Sequence, residues 1–344
     1  MLDKRKKIGI GVVAVIICAV AFYFLYWVKT PAYSLKLLRD AVQKHDVDQV
    51  EAYVDWDTLL PKAFDDSLAA YENVSGEKLA DNPLAMGFVQ AMKPQVVSAM
   101  KQGFTTLIRG DQEKDASKAS QADQMTYWMT KNIVHNPVTV KDVSTISKEG
   151  REALVAVKLQ DKKLEGEYTV KLKMAEKDDG KWRIKETSNL ADVLQTVDQL
   201  TKDKLAKLNA PIREQIDQAV TVDKHSMKLY SDRNPFFENK WIRYFATVTN
   251  HTDKDIVYYK MDFVIKDQDG KILRDKRYYY DRPIKANKGT SISTKDELNP
   301  FISSEEKLSK GLGGKTLDAA ITEIRYADGT SIKLLTEIPD EKTE

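Results

Sequence analysis

The chain has 344 residues, of which 54 are basic and 52 acidic, and its formal net charge is +2. The first seven residues contain four basic groups and one acid, so the rest holds 50 basic and 51 acidic residues, a net charge of −1. This near-neutral balance excludes a nucleic-acid binder that works through overall charge. Cys18 is the only cysteine, which excludes an intramolecular disulfide and any thiolate metal site elsewhere in the chain.

An unbroken apolar run of 21 residues extends from Ile8 to Val28, directly after four consecutive basic residues. At roughly 1.5 Å per residue a helix of this length spans about 30 Å, the thickness of the hydrocarbon core of a bilayer. The preceding positive charges predict a cytoplasmic N-terminus and an extracytoplasmic location for the bulk of the chain. Residues 1–29 are therefore predicted to be a cytoplasmic stub and a single-pass transmembrane helix that binds the lipid bilayer of the cell membrane.

Two other interpretations of this run are weaker. A cleaved signal peptide would end in small residues, whereas this run ends in bulky aromatic ones. Lipidation of Cys18 would also require small residues directly before it, where two isoleucines stand. Small residues at Gly11, Ala14, Cys18 and Ala21 share one helical face and would allow a weak homodimer through the anchor. A plain anchor is the favoured explanation, because small residues are common in membrane helices.

Residues 30–200 show helical spacing of apolar residues first and strand-like alternation later. Helices are predicted around 35–42, 47–55, 59–71, 84–108 and 125–134, with Pro94 kinking or splitting the fourth of them. Strands are predicted at 138–147, 154–159, 168–174 and 182–184. Helices followed by an antiparallel meander predict an α+β domain.

The rest of the chain divides into a helical connector, an all-β domain and a short acidic tail. The helical register slips after Thr201, so residues 201–219 are predicted to be the connector. Residues 220–338 contain seven alternating segments, at 220–230, 241–249, 256–266, 272–280, 289–294, 320–326 and 331–335. Seven strands with turn residues between them predict an immunoglobulin-like β-sandwich, followed by the tail at 339–344.

The start of the first domain carries a distinctive pattern directly after the predicted anchor. The pattern consists of YSLKLLRDA from Tyr33 to Ala41, then Asp46, Val50, and YVD from Tyr53 to Asp55. It resembles a bacterial family of membrane-anchored proteins known only as a domain of unknown function, over roughly residues 30–200. The resemblance implies an anchored extracytoplasmic protein and supplies no catalytic residue.

This opening followed by a sheet also looks like the nuclear-transport-factor-2-like cone fold. In that fold helices and a bent sheet enclose a cavity, and its members include both enzymes and binding modules. In the last domain, residues 246–250, 267–270 and 288–289 are similar to the turn pattern of sandwich domains in bacterial envelope proteins. Together these resemblances imply a cone-like domain with a cavity, followed by an envelope sandwich domain.

Two short motifs resemble catalytic or nucleotide-binding sequences, and their context disfavours both. Residues 309–316 read SKGLGGKT, which lacks the first glycine of a phosphate-binding P-loop and the buried strand before it. Ser304 and Lys307 have the Ser-x-x-Lys spacing of penicillin-binding enzymes, but the companion motifs are missing. We interpret the first as a flexible loop and the second as a chance match.

Isolated polar residues supply no clear catalytic set. Asp55 and Asp57 flank Trp56 and have the spacing of an acid and a base, but Asp57 more simply caps a helix starting near Thr58. The histidines are widely separated and stand near predicted turns: His45, His135, His225 and His251. None has a second metal ligand at a short fixed spacing, so no metal site and no cofactor are predicted.

Aromatic residues provide the remaining candidates. Those expected to line a cavity of the cone-like domain are Trp56, Phe88, Trp128 and Trp182. Those expected to form an exposed partner surface on the sandwich are Tyr258, Tyr278 and Tyr280. Core packing predicts the same residues for the first set, and for the tyrosines a filled core with ordinary strand propensity is the favoured explanation. With no nucleophile–base pair in view, the sequence predicts a non-catalytic interaction module that binds an envelope protein, or alternatively a small-molecule-binding protein that uses the cone's cavity.

Overall fold

The computed structural model describes residues 27–75, 83–110, 138–233, 238–299 and 302–339. The chain forms two compact units, the first ending at Thr201 and the second beginning at Lys202. The first unit combines helices with an antiparallel sheet, and the second consists mainly of two antiparallel sheets. The predicted α+β class is therefore confirmed.

The predicted anchor from Ile8 to Val28 lies outside the described residues except for its last two positions, which belong to a 3₁₀ turn, Trp27–Lys29. Cys18, the stripe of small residues, the predicted helix at 125–134 and the end of the predicted tail also lie outside them. Among the helices that the structure describes, none is long and apolar enough to cross a membrane.

Capping side chains set the ends of the first helices. Thr30 Oγ1 accepts a hydrogen bond of 3.2 Å from the amide of Tyr33, and Pro31 occupies the first turn, where its missing N–H costs nothing. Asp46 Oδ1 accepts from the amide of Gln49 at 3.0 Å and starts the second helix. The helices of this unit are α1 (Pro31–Gln43), α2 (Val47–Tyr53), α3 (Trp56–Ser75) and α4 (Pro83–Arg109).

Two details differ from the sequence-based expectation. Helix α3 begins at Trp56, and its capping carboxylate is Asp55, whose Oδ1 accepts from the amide of Thr58 at 3.3 Å. Asp57 lies inside the first turn and reaches out to Lys101, 3.3 Å away, so it neither caps the helix nor pairs with Asp55. Helix α4 continues through Pro94, so it is not split there. The other expectation, a kink at this proline, stays a prediction.

The sheet of the first unit is a four-stranded antiparallel meander in the order β1-β2-β3-β4. Its strands are β1 (Val138–Glu149), β2 (Glu152–Asp161), β3 (Gly166–Glu176) and β4 (Trp182–Thr187). Buried residues of the helices, among them Ala41, Val50 and Ile108, pack against Val155 and Trp182 of the sheet. All four strands predicted from period-two alternation are present.

Helix α5 (Leu190–Ala219) continues without interruption through the predicted phase slip and Pro211. Seven strands and one short helix follow it. They are β5 (Val220–Arg233), β6 (Glu238–Asn250), β7 (Ile256–Lys266), β8 (Ile272–Tyr280), β9 (Gly289–Glu297), α6 (Ser303–Ser309), β10 (Thr316–Tyr326) and β11 (Ser331–Lys333). The strands form a four-stranded sheet, β11-β10-β7-β8, and a three-stranded sheet, β5-β6-β9.

The core of the second unit contains buried side chains from both sheets. Tyr244 of β6 stacks on Phe263 of β7, with ring centroids 4.9 Å apart. A buried ionic group lies beside these rings: Arg274 of β8 is 5% exposed and pairs with Asp296 of β9 and with Glu305 of α6, the latter at 2.6 Å. These pairs connect strands and helix at positions far apart in sequence.

Candidate functional site

The aromatic residues predicted to line a cavity in the first unit do not converge on one. Trp56 is half-buried and stacks on Phe104, with ring centroids 5.4 Å apart. Phe88 is 68% exposed, and Trp182 is fully buried. Trp128 lies outside the described residues. Phe88, on α4, is turned towards solvent and is not part of the described cavity of this unit.

Trp182 has a structural role in the first unit. Its indole N–H donates to the carbonyl of Lys29 at 2.8 Å, and its amide donates to Ser34 Oγ at 3.1 Å. Lys148 Nζ lies 4.9 Å from the centre of its ring. The side chain therefore joins the start of the helical segment to β4, and ordinary packing, the alternative interpretation, describes it better than a cavity wall.

The first unit does contain an open cavity of about 480 Å³. Its walls carry Glu149, Glu152, Lys173 and Glu186, and Lys173 pairs with Glu186 at 2.9 Å. None of the three predicted aromatic residues that the structure describes lines it. A lining with this many charged side chains, of which Lys173 and Glu186 already form an ion pair, offers little to a small apolar ligand.

Of the tyrosines predicted to form a partner surface, two pack inward. Tyr278 and Tyr280 pack against the core of the second unit, and their hydroxyl oxygens are buried. Their neighbour Tyr279 is 63% exposed. Successive side chains of a strand point to opposite faces, and β8 has the phase that buries Tyr278 and Tyr280 and exposes Tyr279. Tyr258 is half-buried beneath the guanidinium of Arg325, 4.8 Å from its ring centre.

Burial of these phenols makes the second unit sensitive to high pH. Burial raises the pKa of Tyr244 and of Tyr259 to about 12, and it raises the pKa of Tyr278 and Tyr280 well above the usual value. A pKa that is higher in the folded state gives stability that is complete below about pH 10 and is lost as the pH rises through 10 to 12. We expect the tyrosinate absorbance that these four residues contribute in the folded protein to appear late and together with unfolding.

Titration of the protein in urea provides the control, because every tyrosine should then ionise near pH 10. The variant Tyr280→Phe should lose less stability between pH 10 and 12 than the wild type. Simple titration of all tyrosines near pH 10 in the folded protein would contradict this prediction.

The outer face of the sheet β5-β6-β9 carries an unusual set of side chains. Along β6 the residues Ile242, Tyr244, Ala246 and Val248 are buried in the core. The intervening residues therefore point to the opposite face, and three of these are Trp241, Arg243 and Phe245, all half-buried and outside the core cluster.

Cross-strand pairing places a row of three cations on this face. Lys228 of β5 lies opposite Arg243, and Arg243 lies opposite Lys295 of β9. Lys228 and Lys295 are exposed. Within the described part of the chain none of the three forms a salt bridge, and like charges directly opposite one another destabilise a sheet. A row of this kind weakens the isolated domain.

Aromatic rings flank the row on both sides. On one side Tyr230 of β5 stacks on Trp241, with centroids 6.0 Å apart, and on the other side lies Phe245. The guanidinium of Arg243 lies 5.3 Å from the ring centre of Tyr230. Cations held over ring faces are worth about 0.5–1 kcal/mol at exposed sites. We call these six residues the aromatic–cationic face: Lys228, Tyr230, Trp241, Arg243, Phe245 and Lys295.

The lysine side chains also lie over rings of the face. Lys228 Nζ is 6.0 Å from the ring centre of Phe245, and Lys295 Nζ is 5.9 Å from that of Trp241. These contacts align the long side chains without neutralising their charge. This face is not among the sites predicted from the sequence, although the arginine between Trp241 and Phe245 at period-two spacing is a signal that these positions point to solvent.

Two histidines bind backbone carbonyls. His45 Nδ1 lies 2.8 Å from the carbonyl oxygen of Ile108, and His225 Nε2 lies 2.9 Å from that of Leu317. A ring nitrogen that faces a carbonyl must carry the proton and donate it. His135 lies outside the described residues.

Of the three histidines that the structure describes, His251 is the one that lies near both a hydroxyl and a carboxylate. Its Nε2 lies 2.8 Å from Thr221 Oγ1, and that hydroxyl donates to Asp223 Oδ1 at 2.7 Å. Because a hydroxyl has one proton, His251 must donate to Thr221 and cannot remove its proton. This order of donors is the reverse of the one that activates a nucleophile.

The two sequence motifs lie in structures that differ from the enzymes they resemble. Ser304 and Lys307 both belong to the short helix α6. The P-loop-like stretch 309–316 leaves the end of α6 and enters strand β10, whereas a phosphate-binding loop would enter a helix. Among the described residues no cluster of three or more His, Cys, Asp or Glu is arranged to hold a metal ion.

Residues 20–107 match the model of a family described as "Protein of unknown function (DUF2939)". The match supports the resemblance to an uncharacterised domain family in the first part of the chain. No curated protein matches the chain.

Two solved structures have weak likeness to the chain. One is the X-ray structure of target SoR45 of the Northeast Structural Genomics Consortium, with 14% identity and a TM-score of 0.23, covering 34% of this chain and 80% of that one. The other is the putative ApaA protein from Bordetella pertussis, with 9% identity and a TM-score of 0.21, covering 34% and 91% respectively. Likeness at this level carries no argument about fold or function.

Proposed function

We propose that this protein is a non-catalytic interaction module, and that its partner is an acidic protein segment that binds the aromatic–cationic face. The row formed by Lys228, Arg243 and Lys295 is the observation that supports this most directly. Three like charges in register repel one another in the free domain. Carboxylates of a partner would remove that repulsion and add attraction, so the charges favour the bound state over the free one.

The residues around the row favour a protein as the partner. Tryptophan, tyrosine and arginine are the residues that most often dominate the energy of protein–protein interfaces. The exposed lysines at the two ends would accelerate association with an acidic surface. A nucleic acid is disfavoured, because the chain after residue 7 has a net charge of −1, whereas nucleic-acid-binding domains are usually strongly basic.

We propose that this face acts at the outer side of a bacterial cell membrane. The run from Ile8 to Val28 and the basic residues before it support a membrane anchor, with the bulk of the chain outside the cell membrane at a bacterial envelope. Helices packed on a four-stranded meander support a cone-like first domain. Seven strands divided four and three support an immunoglobulin-like second domain.

The alternative function, a small molecule bound in the cone's cavity, has less support. Of the four aromatic residues expected to line that cavity, one is exposed and one is fully buried in the core. The cavity that the first unit does contain is lined by charged residues that include an ion pair. The aromatic–cationic face is the better candidate.

Removal of two charges tests the proposal. We expect full-length protein with Lys228→Gln and Lys295→Gln to bind a labelled glutamate homopolymer about tenfold more weakly, a change of about 1.4 kcal/mol. The same variant should be as stable as the wild type or more stable, by about 0.2–1 kcal/mol, because repulsion is relieved. Fluorescence anisotropy and urea unfolding measure the two quantities.

Arg282→Gln with Lys288→Gln is the matched control, since both side chains are exposed and lie away from the face, between β8 and β9. This variant should keep wild-type affinity, and affinity of the wild type should fall as salt rises. Equal losses of affinity for polyglutamate in the two double variants would show that binding depends only on the net charge of the protein. Tighter binding to a single-stranded oligonucleotide than to polyglutamate would point to a nucleic acid and contradict the proposal.

A further inference from the structure

A second cavity, of about 490 Å³, lies in the second unit between helix α5 and the sheet β11-β10-β7-β8. Helix α5 is held there by side-chain contacts. Asn209 Nδ2 donates to the carbonyl of Leu335 at 3.0 Å, and its Oδ1 accepts from the amide of the same residue at 2.7 Å. Arg213 NH1 donates to the carbonyl of Ile321 at 2.6 Å. These bonds fix two walls of the cavity relative to each other.

A bulge in β10 places one threonine in the wall of this cavity. Ile321 pairs with Met261 and Glu323 pairs with Lys260, so Thr322 is an extra residue without a partner on β7. Bulges of this kind redirect a side chain and are frequent next to binding sites. Thr322 lines the cavity and is 9% exposed, and its Oγ1 is buried with no hydrogen-bond partner among the described residues. A buried hydroxyl without a partner is unfavourable unless a ligand supplies one.

The charges of the lining do not cancel. It contains four cationic and two acidic side chains, a surplus of two positive charges. Two of the cations are neutralised in place: Lys260 lies 2.6 Å from Glu323 Oε2, and Arg277 binds both oxygens of Asp262, at 2.6 and 2.7 Å.

The surplus belongs to the other two cations. Arg213 lies 3.9 Å from its nearest carboxylate, Asp217, and Lys333 is exposed and forms no salt bridge with the described residues. Arg213, Lys333 and the hydroxyl of Thr322 are all donors. The two cations and the hydroxyl together form the hydrogen-bond-donating part of the cavity.

We infer that this cavity binds a small organic phosphate. A phosphate monoester carries a charge of about −1.5 to −2 at pH 7, which matches the surplus of two. Its oxygens are acceptors for the guanidinium of Arg213, the ammonium of Lys333 and the hydroxyl of Thr322. Leu334 and Leu335 also line the cavity and provide an apolar wall for the organic part. The volume lies within the usual range for small-molecule sites, about 300–1,000 Å³.

Calorimetric titration of the full-length protein with glycerol 2-phosphate tests the inference. Saturable binding is expected, with weaker binding of inorganic phosphate because it lacks the organic part. Thr322→Val and Lys333→Gln should each weaken the binding by about tenfold or more. Thr290→Val and Lys288→Gln are matched controls away from the cavity and should leave it unchanged.

Stability separates a ligand role from a structural one. Because the hydroxyl of Thr322 has no protein partner, Thr322→Val should have the same urea midpoint as the wild type or a higher one. A lower midpoint would show that the hydroxyl serves the fold and would overturn the inference. Three other results would also overturn the inference. They are no binding of glycerol 2-phosphate, equal binding of it by the cavity variants and the control variants, and tighter binding of propionate than of glycerol 2-phosphate. These results are independent of polyglutamate binding at the aromatic–cationic face.

Discussion

Trp182→Ala is expected to lower the free energy of unfolding of the first unit by about 3–5 kcal/mol. The ring is fully buried in the core, where it packs between the helices and the sheet. The substitution also removes the donor that binds the carbonyl of Lys29 at 2.8 Å. The loss therefore combines a large cavity with an unpaired backbone carbonyl.

The measurement must resolve the two units, because a chain with two compact units does not unfold in one step. Hydrogen exchange followed by mass spectrometry does this, since it reports the opening free energy of each strand. Amides of β2 and β3 should lose protection in Trp182→Ala, while those of β6 and β7 should keep it. Stability in β2 and β3 equal to that of the wild type would contradict the structural role given to Trp182.

Phe88→Ala is the matched control for this substitution. Both residues are large aromatic side chains that the sequence placed in one cavity, but Phe88 is 68% exposed. Its removal should change stability by less than about 0.5 kcal/mol, as is usual for surface positions. The two substitutions should therefore differ by several kcal/mol in their effect on stability, because Trp182 is buried and Phe88 is exposed, although both had the same predicted role.

Arg274→Met is expected to destabilise the second unit by about 3–5 kcal/mol. The guanidinium is held among Asp296, Glu305 at 2.6 Å and the carbonyl oxygen of Glu297 at 2.9 Å. Its side chain is 3% exposed and that of Glu305 is 12% exposed. Removal of the one buried cation leaves two carboxylates close together with little access to water, which is far more costly than the loss of a surface ion pair.

A second substitution isolates the cause of this loss. The double variant combines Arg274→Met with Glu305→Gln. In the wild type, Glu305 Oε2 accepts from the backbone N–H of Asn299 at 2.7 Å, and the side-chain oxygen of the glutamine can still accept that hydrogen bond. The double variant should therefore be more stable than Arg274→Met alone, because the unpaired buried charge is gone. Lys276→Met is the surface control: this lysine lies 3.8 Å from Asp296 and is 44% exposed, so its loss should cost less than about 1 kcal/mol.

Denaturant unfolding monitored through hydrogen exchange of β7 and β8 gives all three values. A cost for Arg274→Met no larger than that for Lys276→Met would show that the buried group contributes little. A double variant less stable than the single one would show that Glu305 acts through packing and not through its charge.

Much of the fold could be predicted from local patterns. Each predicted strand is present because alternation of apolar and polar residues is a property of the strand itself. The break at His45 and Asp46 also follows from local chemistry, since Asp46 caps α2 and His45 has a left-handed φ of 59°. The cap of α3 was misplaced by two residues, because two aspartates flank Trp56 and either one could accept from the first turn.

The candidate sites could not be predicted in the same way. Tyr278, Tyr279 and Tyr280 are identical in type, so composition gives no indication of which face of β8 they occupy. Pairing with β7 decides this, and it turns the outer two inward. The proposed phosphate-binding cavity depends likewise on the bulge at Thr322, which arises from the register between β10 and β7.

The sequence by itself determined the near-neutral charge beyond the first residues, the order of the strands and of helices α1 to α5, and the α+β class. These depend on composition and on spacing within single segments. Only the tertiary structure decided that Lys228, Arg243 and Lys295 form one row, and that Arg274 meets Asp296 and Glu305 in the core. Such neighbours come from different strands and helices, and their proximity is set by pairing and packing between segments, which spacing along the chain does not encode.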